Sequence, residues 1–425
     1  MSWVTRWICP ELNSDVHVAI AGAGIVGVSC ALWLQSRGFK VSLIDENEPG
    51  SGATFGCACT IARYACIPIN DPDILKRLPR LVFGRDTPFR IDPGHALVNL
   101  PWMIAFLKSC KKPKVDHTIR HLASLLAATD EGLGPLIERS GASDLVAGEG
   151  FMTVYQDPDE FERDLPKHRL RAEFGSPFTE LGENEIRELE PALSHSFRRG
   201  LLFDNAHHVL DPQKLVERLF RHFIESGGQH VREMVHGLVH TEDGMKIYMR
   251  SRRFLRANRF VICCGAHSRQ IEGCDVERLP LGTERGYHIQ YSGRQHLVKR
   301  PVGWGEGGFY AVPTQSALRL AGTVEIAALD KPKNPDRIAY LADKARRMFG
   351  IDDEPDSDWL GFRPTLPDAL PVIGPSVKAP NTYFALGHQH LGLTLGGITG
   401  KLVSEIVAGE TPSVDIRPFS ASRFK

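Results

Sequence analysis

The chain has 425 residues, with Lys plus Arg and Asp plus Glu balanced at 51 each, 42% hydrophobic and 24% charged. That leaves room for two sizeable domains, and the even charge excludes an electrostatic case for nucleic acid or a strongly acidic partner. No stretch reaches membrane-spanning apolar length, and MSWVTRWICPELNSD lacks a signal peptide's apolar core and cleavage site. The expectation is a cytoplasmic protein with no transmembrane segment, peripheral contact with the inner face of a membrane staying open. Nine cysteines without a secretion signal read as reduced thiols, and neither Cys57–Cys59 nor Cys263–Cys264 has a second pair at zinc spacing. No metal is expected.

The stretch from Val16 to Asp45 organises the chain. An apolar run, Val16 to Ala21, enters Gly22, Gly24 and Gly27 at GxGxxG spacing; an amphipathic stretch and a second apolar run ending in Asp45 follow. This is the dinucleotide-binding strand–helix–strand unit. Gly22 permits a tight turn, Gly24 lets the backbone approach a pyrophosphate, and Gly27 lets helix and strand pack closely. The helix N-terminus offers N–H groups to phosphates, and Asp45 can accept hydrogen bonds from a ribose diol.

Next, Gly50, Gly52 and Gly56 with Ser51 and Thr54 make a loop that either donates further to a pyrophosphate or is a plain surface turn. Leu, Ile and Phe at three- and four-residue intervals predict helices through 98–140, with Lys108, Lys111, Lys112 and Lys114 in a solvated connection. Residues 146–156 read as a strand pair and 183–193 as a short helix stopped by Pro191. Asp211 and Pro212 open a helix that ends at Gly227-Gly228, and a hairpin turns at Asp243-Gly244. The apolar strand 259–268 ends at Cys264-Gly265-Ala266. Three β-like runs over 280–325 predict an antiparallel sheet, and 335–350 a helix. Gly392, Gly396 and Gly397 then precede a last helix, as if the chain returned to its starting domain.

With these blocks in order, the sequence resembles the flavin amine oxidoreductases of the D-amino-acid oxidase type, and among them the D-amino-acid dehydrogenases. The resemblance rests on AGAGIVGVSCALWLQSRGFKVSLID, VLDPQKLVERL, FVICCGAHS, AGTVE, GFRPTLPDALPVIG and GHQHLGLTLGGITGKLVSEI. It implies an α/β fold: a discontinuous Rossmann-like FAD-binding domain plus an α+β substrate domain with a mostly antiparallel sheet. The FAD-binding domain takes 15–97, 201–279 and 355–425, and the substrate domain takes 98–200 and 280–354. Gly22, Gly24 and Gly27 then face the FAD pyrophosphate, Asp45 the adenosine ribose, and Ser51 and Thr54 the phosphate side. Val235 lies near adenine and Gly265 near the pyrophosphate. The implied cofactor-binding set adds Ile25, Val26, Glu46, Cys264, Gly392, Thr394 and Leu395. Relatives carry Asn and Gly where this chain has Cys57 and Cys59, so Cys57, Cys59 and Thr60 either touch the isoalloxazine or are small packing residues. The chain lacks the tethering cysteine of sarcosine-oxidase relatives, which implies non-covalent FAD.

Arg363 matches the arginine that holds a substrate carboxylate; a guanidinium fork suits that task and stays charged when desolvated. Tyr310 matches a pocket tyrosine, His390 a second polar contact, and Tyr287 and His288 lie on a pocket-lining strand; each also has a plain structural reading. The last helix, taken to open at Gly396-Gly397, would point its N-terminus at the flavin. The activity implied is hydride transfer from Cα of a D-amino or cyclic imino acid, D-proline or cis-4-hydroxy-D-proline first, with a quinone or carrier protein as electron acceptor. Glycine or sarcosine oxidation, or a flavoprotein subunit that needs a partner, are the alternatives.

Overall fold

The computed structural model describes residues 15–70, 72 and 87–424. The leader through Ser14, with Cys9, lies outside them. Side chains alternate across strand His17–Ala21, and the alternation builds the first domain. Val18 and Ile20 join a core with helices Ile25–Gln35, Pro212–Glu225 and Gly392–Ala408. Ala19 and Ala21 join another with strands Val235–Thr241, Gly244–Met249 and Phe254–Ala257. A six-stranded sheet lies between these layers, in the order Gln229–Val231, Lys40–Ile44, His17–Ala21, Arg259–Ile262, Thr382–Leu386, Val372–Pro375. Only the Val372–Pro375 strand pairs antiparallel.

The second domain is built on a nine-stranded sheet. Its edge, Ser357–Thr365, pairs with Gly282–Ser292, then Ala317–Ile326 and Phe309–Pro313 follow, all antiparallel. Along Gly282–Ser292, Tyr287, Ile289 and Tyr291 pack with Leu341, Ala345 and Met348 of helix Pro335–Phe349. Glu284, Gly286 and His288 occupy the opposite face, toward the glycine-rich loop of the first domain: His288 Nδ1 donates to the Gly56 carbonyl at 3.1 Å. A small sheet of Thr60–Ile61, His207–Val209 and Val146–Ala147 joins the domains.

Long-range packing redraws several sequence-based expectations. The last helix begins at Gly392, so Gly396 and Gly397 lie within it instead of preceding it. They serve helix crossing: a methyl group on Gly397 would meet the Leu133 backbone at 2.5 Å, and one on Gly400 the Ser29 backbone at 2.6 Å. Helices Lys112–Ala127 and Thr129–Arg139, assigned by sequence to the substrate domain, bury Ile119, Leu122, Leu133 and Leu136 in the nucleotide-domain core. Strand Ser357–Thr365, assigned to the last FAD segment, is the edge of the second sheet, and Arg199–Phe203 runs across the 200/201 boundary within that sheet. Val146–Ala147 and Phe151–Tyr155 are strands of different sheets and not a pair. The strand from Arg259 stops at Ile262, and Gly265–Gln270 forms a 3-10 turn.

Candidate active site and nucleotide cradle

The carboxyl ends of His17–Ala21, Lys40–Ile44 and Arg259–Ile262 converge where the strand order reverses, the usual binding crevice of a parallel sheet. Gly22 has φ +102°, and a side chain there would strike the Cys263 carbonyl oxygen at 2.5 Å. A methyl on Gly24 would meet only Thr54 Oγ1, at 3.6 Å, so its surface is open. Helix Ile25–Gln35 starts without a side-chain cap on Gly24; the Ile25 N–H reaches Thr54 Oγ1 at 3.3 Å, and Val26 and Gly27 complete the first turn. Asp45 accepts from the Ala23 N–H at 2.8 Å and the Asn47 N–H at 2.9 Å, bracing the glycine turn while keeping accessible surface. Gly50 N–H donates to the Ala23 carbonyl at 2.9 Å and Ser51 Oγ to the Glu48 carbonyl at 2.6 Å, which folds the loop back on that turn. Glu46 is exposed.

Gly265 has φ +55° and Gly392 opens the last helix; a side chain at either would meet nothing within 4 Å. Cys264 retains accessible surface, and burial drives its thiol well up. Thr394 Oγ1 accepts from the Ala62 N–H at 2.9 Å and donates to the Thr60 carbonyl at 3.4 Å, tying the last helix to the domain junction. Val235 and Leu395 are buried in the two cores. Uncapped helix N–H groups, open glycines and a carboxylate at the second strand's end fit a dinucleotide such as FAD, each meeting a different part of it.

Across the domain junction, Arg363 extends from the edge strand over Gly286, where any side chain would collide with its guanidinium. Nη1 donates to the Thr323 carbonyl at 2.8 Å, with Gly322 carbonyl 3.5 Å from Nη2. Burial pulls its pKa below the ordinary value, and Glu284, directly opposite on the next strand, acts in the other direction. Tyr310 is close enough to Arg363 to feel its charge, and burial raises its hydroxyl pKa. The ring of Tyr310 lies 5.4 Å from that of Phe151, which in turn stacks on Tyr64 at 4.4 Å. His390 is exposed at its surface, yet burial lowers its pKa to about 4, with Arg363 adding to the effect. Arg363 thus lies within electrostatic reach of both Tyr310 and His390.

The structure separates Tyr287 and His288 from this group. Tyr287 is on the far face of its strand, its hydroxyl donating to Glu325 Oε2 at 2.7 Å and accepting from the Asn334 N–H at 3.2 Å. His288 stacks on Trp359, ring centroids 5.3 Å apart, and holds the glycine-rich loop through Gly56. Burial lowers its pKa to about 3, which keeps it neutral. Sequence reasoning missed Glu284, Gly286 and Tyr64 beside Arg363 and Tyr310; only the ERGYH block pointed to the first two. It also missed Arg319, which donates to the carbonyls of Phe55 at 2.8 Å and Cys57 at 3.1 Å.

The fold and cradle define a two-domain flavoprotein of the FAD-binding oxidoreductase class. The family model for FAD dependent oxidoreductases (DAO) matches residues 17–406, and the chain belongs to that family. It is 32% identical over 416 residues to the D-amino-acid oxidase of Bradyrhizobium diazoefficiens, spanning 96% of this chain and 99% of that one. It is 25% identical over 440 residues to D-amino acid dehydrogenase 2 of Ralstonia nicotianae, covering 96% of this chain and 100% of that protein. In fold it is similar to glycine oxidase from Geobacillus kaustophilus, with a TM-score of 0.73, 20% identity and coverage of 96% and 99%. L-Proline dehydrogenase from P. horikoshii superposes with a TM-score of 0.71 at 17% identity, over 97% and 98% of the two chains. FAD is the cofactor of the family, and the enzyme is an oxidoreductase. Among the described residues, no helix is long and apolar enough to cross a membrane.

Proposed function

We propose that the protein dehydrogenates a D-amino acid or cyclic imino acid at Cα, with D-proline and cis-4-hydroxy-D-proline as the first candidates. The observation that carries this reading is Arg363: a half-buried guanidinium within electrostatic reach of Tyr310 and His390 and across the domain junction from the nucleotide cradle. The names of the two relatives above support the D-amino-acid class, and the ERGYH block at 284–288, which resembles that of hydroxyproline-pathway dehydrogenases, puts the cyclic substrates first.

Arg363 pairs with the substrate carboxylate through its fork, Tyr310 donates its hydroxyl to the same group, and neutral His390 offers a further hydrogen bond. Tyr64 and Phe151 wall the space behind Tyr310 and exclude water. FAD, held without a covalent bond by Gly22, Gly24, Asp45, Thr54, Gly265 and Gly392, supplies the hydride acceptor. The electron acceptor in this reading would be a quinone or a carrier protein. No side chain needs to act as general base, because a substrate amine that is already neutral can release hydride.

The test is anaerobic reduction of the purified flavoprotein by D-proline, cis-4-hydroxy-D-proline, D-alanine, glycine, sarcosine and the L-forms. Bleaching by D-forms alone is the expected result. Bleaching only by glycine or sarcosine, or by none, would overturn the reading.

A further inference from the structure

The loop between the cradle and the second sheet carries Cys57 and Cys59, and neither has a place in the chemistry above. Arg319 reaches this loop from strand Ala317–Ile326. Its Nη1 donates to the Cys57 carbonyl at 3.1 Å and lies 3.4 Å from Cys59 Sγ. Cys59 has φ 59°, a left-handed conformation rare for a side-chain-bearing residue, and its Sγ turns back to the Cys57 carbonyl at 3.5 Å. The tripeptide is therefore curled back on itself, which keeps the two cysteines on one tight loop. They differ in access. Cys57 is half-buried and close enough to Arg363 to influence it; Cys59 has no accessible surface.

We propose that Cys57 and Cys59 form a peroxide-reactive dithiol, a modification site in which Cys57 attacks and Cys59 resolves.

The oxidant is hydrogen peroxide. The Cys57 thiolate attacks one oxygen, the O–O bond breaks, and the departing hydroxide takes a proton to become water, leaving a sulfenic acid on Cys57. Cys59 sulfur then attacks Cys57 sulfur, the S–O bond breaks, and a second water leaves with the Cys59 proton. Two thiols have lost two electrons to the peroxide, and one disulfide has formed.

Each role follows from the surroundings. A hydrogen bond from Cys59 and the Arg319 charge draw the Cys57 thiol below its ordinary pKa against the effect of burial, and the same bond, with burial, raises that of Cys59. The attacking sulfur is the one with accessible surface, and the resolving sulfur is the fully buried one two residues on. Cys263 and Cys274 are buried and Cys264 half-buried; burial pushes all three thiols up with no arginine to oppose it, and Cys66 is also raised. These are internal controls.

The experiment exposes the wild-type holoenzyme to graded hydrogen peroxide, alkylates the remaining thiols and maps them by peptide mass. The expected result is loss of Cys57 and Cys59 together, at a dose that spares the other cysteines. The peptide holding both would be lighter by two hydrogens and return to its original mass with dithiothreitol. In Cys59→Ser, dimedone should label Cys57. The proposal is overturned if Cys57 and Cys59 stay alkylatable while other cysteines oxidise, or if Cys57 passes to sulfinic acid with Cys59 still free. Dimedone labelling of Cys59 in a Cys57→Ser variant would also overturn it.

Discussion

Glu284 and Arg363 stand directly opposite each other on adjacent antiparallel strands, a buried carboxyl beside the cation proposed to receive a substrate carboxylate. Burial raises the Glu284 pKa and Arg363 opposes that rise. The sign of the consequence is fixed. A carboxyl whose pKa is higher in the folded state than in the unfolded one binds more protons when folded, so stability falls as pH climbs through the interval between the two. Glu284→Gln removes the titration. The variant should gain melting temperature over the parent at pH 7, and that gain should shrink toward pH 4, below the ordinary carboxyl value of about 4.3. A difference independent of pH would show that Glu284 ionises no less readily in the fold.

Arg363→Ala should lose ~2–5 kcal/mol of transition-state stabilisation, as when one partner of a buried charge pair is deleted. Arg363→Lys should recover only part of it, since an ammonium cannot form the bidentate contact. Both variants should keep their flavin, because the arginine lies across the junction from the cradle. Less than a tenfold loss in kcat/KM for Arg363→Ala would remove it from carboxylate binding.

Tyr310→Phe isolates one hydroxyl, with the ring left to pack on Phe151. A hydrogen bond to a charged group contributes about 1.5–3 kcal/mol. The loss should fall on substrate binding and the transition state alike, raising KM more than it lowers kcat. An unchanged KM for the best substrate would show that the hydroxyl does not meet the carboxylate.

These side chains differ in how far sequence could place them. The first nucleotide motif was legible because its strand, turn, helix and acid are contiguous, and local spacing carries all its geometry. In sequence, Gly396 and Gly397 read as the junction that opens the last helix, because a glycine run looks the same before a helix and inside one. What distinguishes the cases is a neighbour at Leu133 or Ile25, hundreds of residues away in the chain. The strand ERGYHIQYS was legible as a strand, but period-two alternation does not say which face looks at the cradle. Pairing with Ser357–Thr365 decides that, putting Glu284 and Gly286 beside Arg363 and sending Tyr287 to Glu325. Tyr64 had no local signal; its proximity to Tyr310 passes through Phe151, from a third segment.

The helix crossing gives a stability prediction in which two effects compete. Replacing an interior helical glycine with alanine favours the helix by about 1 kcal/mol. At Gly397 the new methyl would meet the Leu133 and Gly132 backbones, which no side-chain rotation relieves. Overpacking of this kind costs about 1–3 kcal/mol, so the clash should win and Gly397→Ala should lower the melting temperature. Gly134→Ala, in the partner helix with open space around it, should raise it or leave it unchanged. Equal behaviour of the two variants would mean that the helices do not cross this closely.

The pH dependence of turnover tests the neutral-amine mechanism. His390, with a pKa lowered to about 4, and His288, at about 3, are uncharged across the neutral and alkaline range. The Tyr310 hydroxyl is raised by burial and stays protonated there. kcat/KM should therefore climb with pH as the substrate ammonium loses its proton, and level off at the substrate's own pKa. Two groups beside Arg363 carry shifts of their own, Glu284 raised by burial and Cys57 lowered by its hydrogen bond with Cys59. The profile should accordingly be recorded in Glu284→Gln and Cys57→Ser as well, and in His390→Gln. An inflection that follows the substrate's amine and survives all three changes assigns the proton to the substrate. One that vanishes with Glu284 or Cys57 assigns it to the enzyme, and a flat profile excludes the neutral amine as the reacting form.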